Sequence, residues 1–423
     1  MVSIKYLSYF DSKIVKQYLY AFGFSIIGAL INFYFFRQVF HHIGEDSFYY
    51  YAYSRRIISF ASPVLLLGLG VSLPRAMGLY GSDEAKQQRL FLATMLFIAL
   101  VSLVWVGLNL VFNNWFSKLL WGEVNPFTLK LSLALSFFLL GTNVSAIVHA
   151  FFRGKINALM SGVVELLVQS LIPLLAFVIF SNLVQIYSVI SVCIIVFNVL
   201  VLMVMLKHFN VSINDFFRIY ELKELLDYGV RRVPGDFYYA MITFLPAFLA
   251  SRFFGVEFAG IISFGLSLLT LFNLPATAVS FVTLSRSAQL LSSDKQRLRK
   301  ETYLLLSLAL IYSFAVLVFC YFFLDTLLTL FFDSSFTKHF DSLFVLLLAL
   351  PMLVAFTVYR SITDSAYKRS YNSLFMFLAL LCFALFATLA KYYNQPNFIL
   401  YGNIMVYVIL AILSFTLSLR IFK

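Results

Sequence analysis

Two pairs of adjacent arginines, Arg55-Arg56 and Arg231-Arg232, and one isolated acid, Glu165, have the types and settings that could do chemistry in this sequence. Arg55 and Arg56 lie about eight residues inside an apolar stretch, roughly 12 Å deep at helical rise. An ionisable group at such depth costs about 2.5–3.5 kcal/mol or more, so it faces a wet cavity or a partner. Neighbours on a helix point about 100° apart, so both arginines can border one cavity. The other reading is that one of them pairs with Glu165 or Asp46 and holds two helices together.

Arg231 and Arg232 open a later apolar stretch beside Pro234 and Asp236, while Arg75, Arg286 and Arg360 close others. Taken singly, each reads as topogenic charge at the headgroups. Taken together, arginines outnumber acids wherever charge approaches the apolar segments. A guanidinium fork binds phosphate oxygens in a bidentate way, so the collection points to an anionic ligand with a phosphate or diphosphate head. Glu165 lies about nine residues into its own stretch, with Gln169 one turn further on the same face. It can titrate with a coupling proton or bind Na+, or serve as a structural partner for an arginine. Asp236 and Asp364 read as structural.

Other chemistries find no pattern. The five histidines do not cluster as ligands, since His41-His42 cannot easily place both rings on one metal and His149 stands alone. Cys193, Cys320 and Cys382 fall inside apolar runs without metal spacing. There is no P-loop, no HExxH and no GxSxG with partners. Neither a metal nor a cofactor is expected, and the chain does not read as an enzyme. The aromatic run Phe48-Tyr49-Tyr50-Tyr51 reads as an interfacial belt and lipid-facing bulk, with sugar stacking as the other reading.

The elements that must position these residues follow from composition. Of 423 residues, 62% are hydrophobic and 12% charged, with a mean hydropathy of +0.92. Soluble domains carry about a quarter of their residues as charges, so half that cannot cover a soluble surface. A spanning helix needs roughly 20 apolar residues, and such runs recur from end to end. The expected spans are 18–40, 47–71, 89–113, 127–150, 157–180, 184–206, 228–251, 258–284, 301–324, 343–363, 372–391 and 398–420. The second continues as a polar-tipped helix through Pro74 and Arg75 towards residue 78. A β-barrel would show short alternating strands instead. Residues 1–17 are polar and amphipathic, with no cleavable signal visible.

Orientation comes from the basic residues. With the N-terminus inside, only Arg37, Lys118, Lys130, Arg252, Lys338 and Lys391 of the 31 Lys and Arg fall at or near the outer face. Arg55 and Arg56 lie within a span, and all the rest are cytoplasmic, a strong positive-inside bias. The net charge of +12 therefore reads as topology and site charge, with no nucleic-acid partner. The longest outer loop, about 325–342, is amphipathic, with Leu327, Leu328, Leu330 and Phe331 available for an interfacial turn.

A shift of half the chain aligns Gly44-Glu45-Asp46 with Gly255-Val256-Glu257, and Val71-Ser72-Leu73-Pro74-Arg75 with Val282-Thr283-Leu284-Ser285-Arg286. With four extra residues, Arg153 and Asn157 fall on Lys368 and Asn372. Six spans per half is an even number, so both halves enter the membrane in the same sense and the repeat is parallel. The expected fold is an all-α polytopic membrane protein with twelve transmembrane helices in two six-helix lobes. After a cytoplasmic segment 1–17, the N-lobe covers 18–206, a cytoplasmic linker 207–223, and the C-lobe 224–423. Rocking of two such lobes gives alternating access.

The chain resembles the polysaccharide-flippase branch of the multidrug/oligosaccharidyl-lipid/polysaccharide (MOP) exporter superfamily. The resemblance rests on the twelve-helix layout and on Leu225-Leu226-Asp227-Tyr228-Gly229-Val230 followed by Pro234. It rests also on Phe253-Phe254-Gly255-Val256-Glu257-Phe258-Ala259-Gly260, similar to that family's short outer turn entering the eighth helix. It implies a bacterial inner-membrane flippase, with both termini cytoplasmic, for polyprenyl-diphosphate-linked oligosaccharide such as an O-antigen or capsule repeat unit. It also implies a cationic cavity to which Arg55, Arg56, Arg231 and Arg232 could contribute, a coupling Na+ or H+, and polysaccharide polymerase and chain-length machinery as partners. Three alternatives stand beside it. A major-facilitator carrier lacks support because Gly81-Ser82-Asp83-Glu84-Ala85-Lys86 does not carry that family's loop pattern. An ion-coupled exporter of another amphipathic substrate would favour acids in its cavity. A membrane-embedded polysaccharide polymerase would carry a large outer loop.

Overall fold

The computed structural model describes residues 12–80, 83–155, 157–208, 219–367 and 371–422, and every regular element among them is helical. Helix α1 (Ser12–Ile43) is 32 residues long and covers the first expected span. The second span is α2 (Glu45–Leu66) followed by α3 (Leu69–Leu79). The next two are α4 (Glu84–Val111) and α6 (Pro126–Gly154), with the short α5 (Asn113–Trp121) between them. The fifth is α7 (Ala158–Leu166), a π-helical stretch Leu167–Leu171, and α8 (Ile172–Ile179), and the sixth is α9 (Leu183–His208). In the second half come α10 (Ile219–Phe254), α11 (Val256–Ser293) and α12 (Lys295–Phe331), then a 3₁₀ turn Ser334–His339. Helices α13 (Phe340–Leu347) and α14 (Leu350–Ala366) form the tenth span, followed by α15 (Tyr371–Tyr393) and α16 (Asn397–Ile421). Ten of these segments are long and apolar enough to cross a membrane, and the bent pair α2–α3 makes an eleventh. Helix α1 lies over the remaining expected span. The expected segment 1–17 and linker 207–223 fall largely outside the described residues.

Polar caps set the helix starts. Asn125 accepts from the Thr128 amide at 2.8 Å while the Thr128 hydroxyl accepts from the Asn125 amide at 3.1 Å, with Pro126 in the first turn. Asp83, Asn157 and Asp294 each accept an amide three residues on. These side chains satisfy donors that the first turn leaves orphaned. Gly44 and Gly255 both have positive φ, 106° and 93°, and each lets one helix end and the next begin at once. The same device at matched places in the two halves is what a parallel repeat requires.

The second span is broken. Leu67 and Gly68 have φ of 50° and 75°, and the two parts meet at a bend of 52°. Pro63 and Pro74 lie on either side and each removes a ladder hydrogen bond. Gly68 also lies against Gly229, where a Cβ would stand 2.5 Å from the Gly229 carbonyl oxygen. Two glycines are thus needed for this close backbone crossing.

The chain forms two compact units, Met1–Ile43 with Ala61–Val233, and Gly44–Phe60 with Pro234–Lys423. In the first, α6 packs on α3, α4, α7 and α9. Lipid gives no hydrophobic drive between helices, so polar contacts and close packing hold them. Asn109 donates to Ser136 at 2.9 Å, and Asn198 donates to the Gly141 carbonyl at 2.9 Å while accepting from Ser145 at 2.9 Å. In the second, α14 is central, packing on α11, α12, α15 and α16.

Two expectations about aromatic residues and loops change. Phe48, Tyr49 and Tyr51 are buried rather than set at an interface. Phe48 is the hub of four fully or nearly fully buried rings, with Phe264, Phe332 and Phe336 at 5.7, 5.4 and 5.3 Å. Phe332 and Phe336 come from the segment expected as an amphipathic loop. Leu327, Leu328, Leu330 and Phe331 instead belong to α12, which runs on to Phe331. Mutual burial of four rings draws that segment inward and fixes the first turns of α2 and α11.

Candidate substrate site

Adjacent positions on α2 give Arg55 and Arg56 different surroundings. Arg56 is only 8% exposed. Its Nε and Nη2 donate to the Ser263 carbonyl on α11 at 3.3 and 3.0 Å, and Nη2 also donates to the Ser267 hydroxyl at 2.6 Å. A buried guanidinium is costly unless its donors find acceptors, and here the Ser263 carbonyl and the Ser267 hydroxyl of α11 take up Nε and Nη2. Arg56 therefore ties α2 to α11. Arg55 is partly exposed. Its Nη1 donates to the Tyr51 hydroxyl at 3.3 Å, and its guanidinium lies 6.0 Å from the Tyr51 ring centre. A tyrosine one turn back thus orients the arginine that remains accessible.

A second basic residue in the same unit, Arg360 on α14, also stands beside an aromatic ring. Tyr239 on α10 is within electrostatic range of Arg56, as is Tyr407 on α16. The Arg360 guanidinium lies 5.1 Å over the Tyr239 ring, at cation–π distance. Arg360 also pairs with Asp364 at 3.6 Å, one turn on, and Asn372 donates to the same carboxyl group at 2.7 Å. Arg360 and Asp364 are each about one-third exposed. One helical turn beyond Arg56, Phe60 stacks on Phe244 with centroids 4.6 Å apart. The same unit thus holds two reachable arginines, Arg55 beside Tyr51 and Arg360 beside Tyr239. Taken singly, Arg360 reads from the sequence as a topogenic charge, and only as one of the arginine collection does it point to an anion. No spacing singled out Tyr239, although Phe237-Tyr238-Tyr239 directly after Asp236 is an unusual run for a span entrance.

Arg231 and Arg232 lie on helical backbone within α10, and their side chains fall outside the described residues, as do those of Arg286, Lys368 and Arg369. Glu165 lies in α7, 45% exposed, with its carboxylate 3.6 Å from His149 Nε2 on α6. The π-helical stretch Leu167–Leu171 begins two residues later, ahead of Pro173. π-Bulges frequently accompany functional sites, and this one places an acid, an imidazole and Gln169 at a break in the fifth span. The imidazole was not foreseen as the partner of this acid.

No family model matches the chain, and no curated protein matches it. Solved structures do match over nearly its full length. An inward-facing multidrug-resistance MATE family transporter of the MOP superfamily aligns with a TM-score of 0.77 at 14% identity, covering 93% of this chain and 94% of that one. An outward-facing MATE family transporter of the MOP superfamily aligns at 0.67 and 15% identity, over 97% and 95%. A MOP superfamily transporter from Pyrococcus furiosus aligns at 0.70 and 13% identity, over 97% and 95%. For that protein a reversed polarity of the binding pocket is reported to suggest a different function. At these identities the likeness is one of fold, and the fold of this chain is that of MOP superfamily transporters, twelve helices in two six-helix lobes.

Proposed function

We propose that the protein is a flippase that moves a polyprenyl-diphosphate-linked oligosaccharide between leaflets of a bacterial cytoplasmic membrane. The observation that carries this reading is the pair of accessible arginines, Arg55 and Arg360, held by aromatic rings within one helical unit. Guanidinium forks suit the oxygens of a diphosphate, and rings such as Tyr51 and Tyr239 suit the faces of sugars. Arg56 supports this site from behind by holding α2 on α11, and Arg231 and Arg232 enter α10 as further candidates for the same anion. The repeat lobes 18–206 and 224–423, with Gly44–Phe60 moving with the second, are the proposed moving bodies of an alternating-access cycle, and solved transporters of this fold are described both inward-facing and outward-facing.

Glu165 and His149 form the proposed coupling site in this scheme. A carboxylate beside an imidazole at membrane depth can hold or release a proton, or share a Na+, without creating an isolated charge. A gradient of that ion would reset the empty carrier, and no ATP is needed. Polysaccharide polymerase and chain-length machinery would then take the glycan on the outer side. A second reading, an ion-coupled exporter of a different amphipathic substrate, is favoured by the same Glu165–His149 pair. The two readings differ in the charge of the cargo. In a strain lacking its O-antigen or capsule flippase, expression of this chain should restore surface glycan, and Arg55→Ala at equal protein level should not. Failure of the native chain to restore any of a panel of such glycans, together with export of cationic amphiphiles, would establish the second reading instead.

A further inference from the structure

At the end of the second unit where α2 and α11 begin, four ionisable side chains meet over the aromatic hub. Glu45 stands in the first turn of α2, Glu257 in the first turn of α11, and Lys338 and His339 end the 3₁₀ turn. Each acid follows closely on a glycine of positive φ, Gly44 or Gly255, although the half-length shift sets Glu257 against Asp46 rather than Glu45. Carboxylate oxygens of Glu45 and Glu257 and a ring nitrogen of His339 lie within 4.8 Å of one another, the one such His/Cys/Asp/Glu group among the described residues. Tyr49 donates to Glu45 at 2.5 Å and lies 3.2 Å from His339 Nε2. The imidazole packs edge-on against Phe336 at 5.1 Å. Lys338 Nζ sits 3.2 Å from Glu45 and 3.7 Å from Glu257.

We infer that Glu45, Glu257 and His339 form a divalent transition-metal site of the Zn2+ class, for which the Lys338 ammonium is the internal competitor. Two carboxylates and one imidazole are a zinc donor set, leaving a position for water. A nitrogen donor disfavours Ca2+ and Mg2+, which take oxygen ligands. Zinc bonds of about 2.0–2.2 Å set tetrahedral donors roughly 3.3–3.6 Å apart, so these donors must close by up to about 1.5 Å, within reach of side-chain rotation for two glutamates. The charge balance supports a cation: two carboxylates face one ammonium, so a negative charge remains unmatched. Tyr49 is a positioning residue, bonded to one ligand and in contact with another. Bound metal would clamp α2, α11 and the 3₁₀ turn together. Histidine spacing could not show this, because the ligands come from three separated segments.

The test is calorimetric titration of ZnCl₂ into the full chain in nanodiscs, in a His41→Ala/His42→Ala background that removes the exposed histidine pair. One Zn2+ per chain is expected, with a rise in thermal unfolding temperature. Glu257→Gln, at a residue 59% exposed, should abolish this binding without affecting folding, and His339→Ala should do the same. Tyr49→Phe should weaken it about 10–100-fold. Lys338→Met should tighten it, which a purely structural ion-pair cluster would not do. Absence of binding in both the parent and Lys338→Met, or binding unchanged by His339→Ala, would overturn the inference. Neither result bears on glycan transport.

Discussion

Arg55 and Arg56 show how much one residue's step around a helix decides. Arg56 has its donors taken up by the Ser263 carbonyl and Ser267 hydroxyl, so its loss is a stability event. Hydrogen bonds to a charged group contribute about 1.5–3 kcal/mol each. Arg56→Ala should therefore lower the thermal unfolding temperature in detergent by several degrees, with transport lost in proportion to folded protein. Arg55→Lys should leave that temperature within a degree or so and still reduce transport, because an ammonium lacks the fork. Parallel unfolding and transport assays of both variants check the division of roles; equal unfolding losses would contradict it. Glu165→Gln should keep the protein folded while removing the dependence of transport on an imposed H+ or Na+ gradient. An unaltered ion dependence in that variant would take Glu165 out of the coupling role.

The elements carry two constraints that hydropathy alone could not reveal. Gly68 adopts φ 75° and meets the Gly229 backbone. Gly68→Ala should thus cost about 1–3 kcal/mol of strain and reduce the yield of folded protein. Phe336→Ala should cost about 3–5 kcal/mol, since it empties the centre of the four-ring hub. Chemical denaturation of the purified variants measures both. Every span was legible as an apolar run because membrane thickness fixes a minimum length. Pro63 and Pro173 signal kinks in two of these spans, but the places of the breaks, Leu67-Gly68 and Leu167–Leu171, were not legible, because apolar residues flank them on both sides and hydropathy is blind to backbone angle. Phe48 and Phe336 were likewise unreadable: a phenyl ring that faces lipid and one that faces protein have the same composition. The repeat of Gly44-Glu45-Asp46 with Gly255-Val256-Glu257, which sets Asp46 against Glu257, was legible. That Glu45 and Glu257 would meet at Lys338 was not, since the half-length shift assigns them to different halves while contacts place Gly44–Phe60 with Pro234–Lys423.

At the scale of the whole molecule, topology and transport are linked. The positive-inside pattern predicts both termini inside. In a cysteine-free background, single cysteines replacing Val124 and Gln395 should react with an impermeant thiol reagent from outside intact cells, and one replacing Ser293 should not. Reversed labelling would invert the direction of transport. The central claim, that the chain carries a diphosphate-linked glycan across the bilayer, is tested most directly in proteoliposomes. Purified protein would be reconstituted with a fluorescent polyprenyl-diphosphate oligosaccharide, an imposed ion gradient and no nucleotide, and accessibility of the glycan to an added glycosidase would be followed over time. Inner-leaflet glycan should become accessible at a rate that depends on the gradient and collapses with Arg55→Ala, while a neutral lipid-linked glycan should move poorly. Movement no faster than in empty vesicles, or equal movement of the neutral glycan, would contradict it.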